Sequence, residues 1–255
     1  MGSQHSSTPA LQYSNTCFII SGKTTNTPDT YIKPAFPNQH TMTQTSHTQP
    51  IGLKRFDLQV IASWIKPDSR VLDLGCGEGD LLLYLKQNKG VLGTGIENRE
   101  SKVALCIAKG LSVLQGDINE EVLDYQEDTF DYVILSQTLQ QVYYPERLLK
   151  SLLAIGRKVI VSFPNFSHWS IRMQVLLTGM APKNEQLPYE WFNTPNIRVI
   201  TLQDFRKFTR DQGCTVLKEV AINTHHHNTK GHIVSFLQDW RATYGIFLIG
   251  KGDKT

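Results

Sequence analysis

The chain has 255 residues, of which 40% are hydrophobic and 19% are charged, with a formal net charge of +3. That length holds one large domain with an appendage or two small domains. The weak net charge excludes a strong attraction to nucleic acid or anionic lipid. No apolar run is long enough to span a membrane, no secretory signal opens the chain, and the four cysteines are scattered. We therefore expect a cytoplasmic protein that binds neither nucleic acid nor membrane.

The first 50 residues differ in composition from the remainder. They are rich in Ser, Thr, Gln, Asn and Pro and contain few charges. Such a segment cannot bury enough apolar surface to offset its ordering entropy. We predict a disordered, low-complexity extension over residues 1–50, apart from a short strand at Cys17–Ser21, and one domain over residues 51–255. Met42 is an alternative start, because the regular pattern begins soon after it.

From Leu53 onward, apolar residues recur at helix and strand spacing. The pattern predicts helices over residues 58–65, 102–109, 145–154, 168–177 and 201–210. It also predicts a helix that begins at residue 81. It predicts seven strands over residues 71–74, 91–96, 111–114, 132–135, 158–163, 216–222 and 244–249. Residues 179–200 contain three prolines and are predicted to be an ordered loop, which we call the excursion. The alternation of strand and helix predicts a mostly parallel sheet with helices on both faces.

A glycine-rich turn follows the first predicted strand. Residues 71–79 have the sequence VLDLGCGEG, with glycines at 75, 77 and 79. Glycine lets the backbone approach a ligand closely and adopt a positive φ. A dinucleotide-binding fingerprint needs a further glycine at position 80, which here is Asp80. Its carboxylate would repel a pyrophosphate, so a nicotinamide dinucleotide is disfavoured. A cofactor with a positive sulfonium and an amino acid tail tolerates it better.

Two more acidic residues follow the next predicted strands. Glu97 ends the second strand, where a carboxylate can accept hydrogen bonds from two ribose hydroxyls. Asp117 follows the third strand, where it can accept the exocyclic amine of adenine, with Ile118 against the ring. In an open α/β sheet, ligands bind outside the carboxyl ends of the strands. Three acids in this order therefore favour a nucleoside-containing ligand.

These elements resemble the class I S-adenosylmethionine (SAM)-dependent methyltransferase superfamily. The resemblance implies a Rossmann-like class I methyltransferase fold and a site for SAM or S-adenosylhomocysteine (SAH). It implies that Asp73 lies near the methionine moiety, and that the end of the fourth strand faces the reactive end of the cofactor. The implied cofactor-binding residues are Asp73, Gly75, Cys76, Gly77, Gly79, Glu97, Asn98, Asp117, Ile118, Ser136 and Gln137.

Several longer segments resemble a narrower family, the methionine-biosynthesis protein MetW family. The segments are residues 56–65, 71–79, 130–140, 161–169 and 187–197, of which the last two are rich in aromatic side chains. The resemblance implies a SAM-binding protein that supports or regulates homoserine O-acyltransferase. The alternative is a SAM-dependent methyltransferase that acts on a small molecule.

No catalytic residue follows from the spacing of residues. His168 and Asn165 are weak candidates, although a lone His beside Trp169 more often packs and forms hydrogen bonds. His225–His227 could bind a metal, but neither Cys nor carboxylate accompanies them at ligand spacing, so a solvated loop is favoured and no metal is expected. Whether the chain is an enzyme stays open.

The segment from Phe163 to Ile197 contains a dense set of aromatic residues together with Arg172. Aromatic residues and Arg are enriched at binding hot spots. We predict that this segment forms much of a surface for a protein partner. The alternative is that its aromatic side chains close over the cofactor or fill a local core.

Overall fold

The computed structural model describes residues 52–225 and 228–252. The predicted extension at residues 1–50, the strand predicted at Cys17–Ser21 and two of the three consecutive histidines lie outside the described residues. Within the described part of the chain, no helix combines the length and apolarity that membrane crossing requires.

Helices and strands alternate through the first two thirds of the described residues. The strands are β1 (Arg70–Leu74), β2 (Leu92–Glu97), β3 (Ser112–Gln115), β4 (Tyr132–Ser136), β5 (Val159–Pro164), β6 (Cys214–Thr224), β7 (Gly231–Ile233) and β8 (Tyr244–Lys251). The helices are α1 (Phe56–Trp64), α2 (Asp80–Lys89), α3 (Glu100–Ala108), α4 (Ile118–Glu121), α5 (Pro145–Ile155), α6 (Trp169–Thr178), α7 (Leu202–Asp211) and α8 (Gln238–Arg241). Short 3-10 helices lie at Val122–Asp124 and Leu139–Gln141.

The eight strands form one sheet in the order β3-β2-β1-β4-β5-β8-β6-β7. β1 to β5 pair in parallel, whereas β8 is antiparallel to β5 and β6, and β7 is antiparallel to β6. The predicted class I methyltransferase fold is confirmed, with one strand more than the seven predicted. The strand order reverses between β1 and β4, and such a switch point is where open α/β sheets bind ligands.

Both faces of the sheet are buried, which explains the continuous apolar runs in its central strands. Because strand side chains alternate between faces, Leu72 and Leu74 of β1 join one core cluster and Val71 joins the other. The first cluster includes apolar residues of α5 and α7, and the second includes those of α1 and α2. Helices thus pack against both faces of the central strands.

Local signals set the ends of several helices. α2 lies between Gly79 and Gly90, which both have positive φ. The Thr201 side chain accepts a hydrogen bond from the Asp204 N–H, at 3.1 Å, and begins α7 as predicted. Residues 179–200 contain neither helix nor strand, as expected for the proline-containing excursion.

Candidate functional site

The glycine-rich turn joins β1 to α2 in a conformation that needs its glycines. Gly75, Gly77 and Gly79 have φ values of 72°, 60° and 76°. The N–H groups of Gly75 and Cys76 donate to the Ile96 carbonyl, at 2.8 and 3.2 Å, and tie the turn to β2. A Cβ at Gly79 would lie 2.5 Å from Leu111 Cδ1. The turn is thus held against the sheet.

A cavity of about 720 Å³ opens beside this turn, at the carboxyl edge of β1, β2 and β4. Small-molecule sites typically have volumes of about 300–1,000 Å³. Every predicted cofactor-binding residue lines the cavity except Gly79, which is buried at the start of α2. The lining residues that belong to the prediction are Asp73, Gly75, Cys76, Gly77, Glu97, Asn98, Asp117, Ile118, Ser136 and Gln137.

The Glu97 carboxylate is buried and fixed by the backbone around it. Its Oε2 accepts a hydrogen bond from the Gly77 N–H, and its Oε1 accepts one from the Arg99 N–H, both at 3.0 Å. A carboxylate oxygen can accept a second hydrogen bond. Glu97 is therefore oriented toward the cavity and retains capacity to accept hydroxyl donors.

Asp117 stands in a more open environment. It is exposed, and its Oδ1 accepts hydrogen bonds from the N–H and the side-chain amide of Asn119, both at 2.8 Å. These bonds cap the short helix α4. Ile118, the next residue, is half-buried and also lines the cavity. An apolar side chain and a carboxylate thus lie together beyond the end of β3.

Asp73 lies at the buried floor of the cavity. Burial raises its pKa to about 7, the negative charge of Glu97 adds to that increase, and the Arg55 guanidinium opposes it. Two carboxylates that converge on one buried volume favour a cationic group there, because a positive charge stabilises both in their ionised form.

Arg55, Asp57 and Gln137 form a partly buried polar network that the sequence did not predict. Arg55 lines the cavity, and its Nε donates to Asp57 Oδ1 at 3.1 Å while a second guanidinium nitrogen pairs with Asp57 Oδ2. Gln137 Nε2 donates to the same Oδ2 at 2.8 Å. Gln137 has a φ of +53°, and its N–H donates to the Ser162 carbonyl at 2.9 Å. The only signal in the sequence was an Arg-x-Asp pair at the start of the first helix.

The hydroxyl groups near the end of β4 bond within the protein. Ser136 Oγ and Ser162 Oγ lie 3.1 Å apart, and Thr138 Oγ1 donates to the Ser136 carbonyl at 3.1 Å. Burial raises the pKa of the Cys76 thiol, which also lines the cavity, so the thiol stays protonated. None of these groups is set up to take a proton from a substrate.

The two weak catalytic candidates do not reach the cavity. Asn165 is buried, and its side-chain amide donates to the carbonyls of Ala242 and Asp239, at 2.9 and 3.1 Å. His168 Nδ1 accepts a hydrogen bond from the Ser170 N–H, at 3.3 Å, and caps α6. Burial lowers the pKa of His168. In this geometry both side chains hold local structure.

No cluster of three or more His, Cys, Asp and Glu side chains suited to a metal is found within residues 52–225 and 228–252. His225 is exposed, and its Nδ1 lies 2.7 Å from Glu185 Oε2. The histidines that follow it are outside the described residues.

Comparison with known proteins identifies the family. The family described as "Methionine biosynthesis protein MetW" matches residues 55–249. The chain belongs to the MetW family. A curated relative from Rhodopirellula baltica, "Bifunctional methionine biosynthesis protein MetXA/MetW", is 32% identical over 201 residues, which cover 75% of this chain. The chain spans 30% of the length of that relative.

Solved structures share the fold of this MetW-family chain at low identity. A SAM-dependent methyltransferase from Archaeoglobus fulgidus has a TM-score of 0.57 and 15% identity, covering 76% of this chain and 91% of its own. One from Aquifex aeolicus has a TM-score of 0.51 and 17% identity, covering 77% and 91%. The [4+2]-cyclase SpnF has a TM-score of 0.53 and 16% identity, covering 76% and 80%. The fold is thus shared by proteins whose names give different chemistries.

Proposed function

We propose that this MetW-family chain binds SAM or SAH in the cavity and supports or regulates homoserine O-acyltransferase in methionine biosynthesis. The assignment of SAM or SAH is supported by three acids, Asp73, Glu97 and Asp117, that line one cavity at the switch point of the sheet. The assignment of the partner is supported by a relative in which MetXA and MetW form one chain.

The residues of the cavity fit the parts of SAM. Asp73 would hold the positively charged amino acid end, and Glu97 would accept the ribose hydroxyls. Asp117 would accept the adenine amine, with Ile118 against the ring. The backbone of the turn at Gly75 and Gly77 would lie along the ligand, because glycine permits close approach. The carboxylates would contribute charge-assisted hydrogen bonds, which are stronger than neutral ones.

The chemistry of the lining favours an effector site over a catalytic one. No histidine is present among the described residues that line the cavity. The Cys76 thiol stays protonated, and the hydroxyls of Ser136 and Thr138 bond within the protein. A methyl transfer needs a base only when the nucleophile must lose a proton. The Asp73 carboxylate, whose pKa burial raises to about 7, is engaged by the amino group of SAM in this proposal. The second candidate, a methyltransferase, therefore applies to a small molecule that is already nucleophilic.

The test measures acyl transfer to homoserine by the purified acyltransferase of the same organism. The assay is run alone, with this chain, and with this chain and SAM. We expect the chain to raise the rate and SAM to change it. Glu97→Ala should keep the stimulation and lose the response to SAM. An acyltransferase that neither binds nor responds to the chain would overturn the proposed partner.

The same proteins distinguish the second candidate. The chain is incubated with SAM and a pool of small metabolites, and SAH production is measured. Formation of SAH that depends on one metabolite, together with no effect on the acyltransferase, would replace the proposed function with methyl transfer. We expect no such formation.

A further inference from the structure

A group of exposed apolar side chains lies on α6 and the excursion that follows it, and none of them lines the cavity. Its most prominent members are Leu176, Leu177, Met180, Tyr189, Trp191 and Phe192, and we call them the α6 surface. Trp191 is 76% exposed, Phe192 69%, and Leu176 and Leu177 75% each. Large exposed apolar patches on a folded protein mark interaction sites.

The α6 surface neither closes the cavity nor fills a core. No residue of the segment 163–200 is among the described residues that line the cavity. Phe163 is the one aromatic residue of this segment that joins the main core, with its ring 5.7 Å from that of Phe247. Trp191 and Phe192 contact each other edge to face, with 5.7 Å between ring centroids, and remain exposed. These positions exclude a lid over the ligand in this conformation.

The excursion is held in place before any partner arrives. The Lys183 N–H donates to Gln174 Oε1 of α6 at 3.3 Å, and the Gln186 side chain donates to the Thr224 carbonyl at 3.4 Å. Leu187 is buried. Three prolines further restrict the segment. A surface ordered in advance loses less conformational entropy on association.

The charges around the α6 surface identify the kind of partner. Among the described residues, neither Arg172 nor Arg198 has an ion-pair partner; they donate to the carbonyls of Ser167 and Val142 instead. The two acids of the excursion are already engaged: Glu190 pairs with Lys183, and Glu185 contacts His225. The surface thus offers unpaired positive charge and no unpaired carboxylate.

This balance disfavours a second copy of the chain as the occupant. In a two-fold contact the same patch meets itself, so each Arg172 and Arg198 would find no free carboxylate on the α6 surface opposite. A partner with an apolar centre and acidic residues at its edge complements both features. The bifunctional relative supplies a partner from the same biosynthetic context, because its MetXA part belongs to the same chain as its MetW part.

We propose that the α6 surface is the docking site for homoserine O-acyltransferase, which meets it with an apolar patch rimmed by carboxylates. This inference rests on the proposed function and assigns it a place on the molecule. None of the six apolar residues of the α6 surface lines the cavity, so they can be removed without removing the ligand site. Arg198 lies between the two, because it donates to the carbonyl of Val142, which lines the cavity. Arg172 and Arg198 supply the electrostatic part of recognition, and the exposed aromatic and aliphatic side chains supply the apolar part.

The experiment measures the affinity of the purified chain for the purified acyltransferase by calorimetry. The variants are Trp191→Ala and Leu176→Ala, and the matched control is Leu123→Ala, which removes a side chain that is 69% exposed outside the α6 surface. We expect each variant to weaken association by about tenfold or more, because truncated hot-spot residues have effects of this size. The control should change it less than about twofold. Affinity of the wild-type chain should also fall with ionic strength, because salt screens exposed charges.

Each outcome has a distinct meaning. Circular dichroism and SAH affinity unchanged from wild type establish that the variants are folded. If the wild-type chain binds the acyltransferase and both variants bind equally well, the docking site is elsewhere and the proposed function stands. If the wild-type chain does not bind at all, the proposed partner is wrong. If ultracentrifugation shows a dimer that Trp191→Ala dissociates, a second copy occupies the surface and the inference is overturned.

Discussion

Glu97 and Asp117 are both carboxylates at strand ends, but their surroundings differ. Glu97 is buried and held by two backbone N–H groups, whereas Asp117 is exposed and caps α4. A carboxylate that is already oriented and partly dehydrated loses less conformational entropy and less hydration free energy on binding a ligand than an exposed carboxylate does. The two acids should therefore contribute unequally to affinity.

We expect Glu97→Ala to weaken SAH binding more than Asp117→Ala does. Removing a charged acceptor costs about 1.5–3 kcal/mol, which is roughly 10- to 150-fold in affinity. Titration calorimetry on both variants measures the difference. Because Glu97 also holds the turn, chemical denaturation must first show that Glu97→Ala is folded at the assay temperature. Unchanged SAH affinity in a folded Glu97→Ala protein would mean that the ribose lies elsewhere.

Asp73 should give the stability of the protein a recognisable pH dependence. Its pKa is raised from 3.8 to about 7, mainly by burial. Between these values the folded state holds a proton that the unfolded state has released, so stability falls as pH rises and levels off above pH 7. Compared with Asp73→Asn, the wild type should lose on the order of 3 kcal/mol between pH 5 and pH 8. Urea denaturation of both proteins at the two pH values measures this loss, and parallel pH profiles would show that Asp73 titrates normally.

Three acids that line the cavity were named from the sequence, but the network beside them was not. Asp73, Glu97 and Asp117 lie within, at the end of and just after successive strands, and the position of a strand end can be predicted from an apolar run. Arg55, Asp57 and Gln137 come together only because α1 packs beside the end of β4, a contact between residues far apart in the chain. No local pattern encodes such a contact, so this part of the site required the fold.

At the scale of elements, the turn before α2 depends on glycine for two separable reasons. Gly79 and Gly110 both have positive φ, of 76° and 70°. A Cβ at Gly79 would lie 2.5 Å from Leu111 Cδ1 and 2.9 Å from Cys106 Sγ, whereas a Cβ at Gly110 would meet nothing within 4 Å. Backbone strain acts at both positions, and crowding acts at Gly79 alone.

Gly79→Ala should therefore destabilise the protein more than the matched variant Gly110→Ala. We expect Gly110→Ala to cost roughly 1–2 kcal/mol from backbone strain alone. Overpacking should add about 1–3 kcal/mol in Gly79→Ala. Guanidinium denaturation of the two variants gives both free energies of unfolding. Equal losses would show that Leu111 and Cys106 move aside without cost.

The strands buried on both faces were predicted from the sequence, and so were the more exposed β3 and β6. β1, β4 and β5 are continuous apolar runs because helices cover both faces of the sheet. β7 was missed because its three residues are too short for a period to be recognised. α4 was missed for the same reason, and its cap at Asp117 was interpreted only as a ligand contact.

For the whole molecule, membership of the family says more about function than the fold does. Neighbours at 15–17% identity include methyltransferases and a [4+2]-cyclase, so the fold alone does not determine the chemistry. The MetW match over residues 55–249 is narrower and connects the chain to methionine biosynthesis. The reaction, if any, follows from neither and depends on the side chains of the cavity.

We predict that residues 1–50 are dispensable for folding. The family match begins at residue 55, and the first 50 residues are rich in Ser, Thr, Gln, Asn and Pro and contain few charges. A chain that starts at Gly52 should unfold cooperatively at the same denaturant concentration as the full chain. Limited proteolysis of the full chain should leave a stable fragment that begins near the same residue. A lower midpoint for the shortened chain would reveal that the first 50 residues contribute to stability.

Ligand binding should raise the melting temperature of the whole domain, because a ligand that binds only the folded state stabilises it. At a concentration of about 100 times the dissociation constant, SAH should add about 2.7 kcal/mol. For a domain of about 200 residues each kcal/mol corresponds to roughly 2–4 °C, so the expected increase is about 5–10 °C. Asp80 lies where a dinucleotide site needs glycine, so NAD at the same concentration should leave the melting temperature unchanged. Differential scanning calorimetry compares the two ligands on the wild type and on Glu97→Ala, which should respond less to SAH. An equal increase with NAD would show that the cavity is a dinucleotide site.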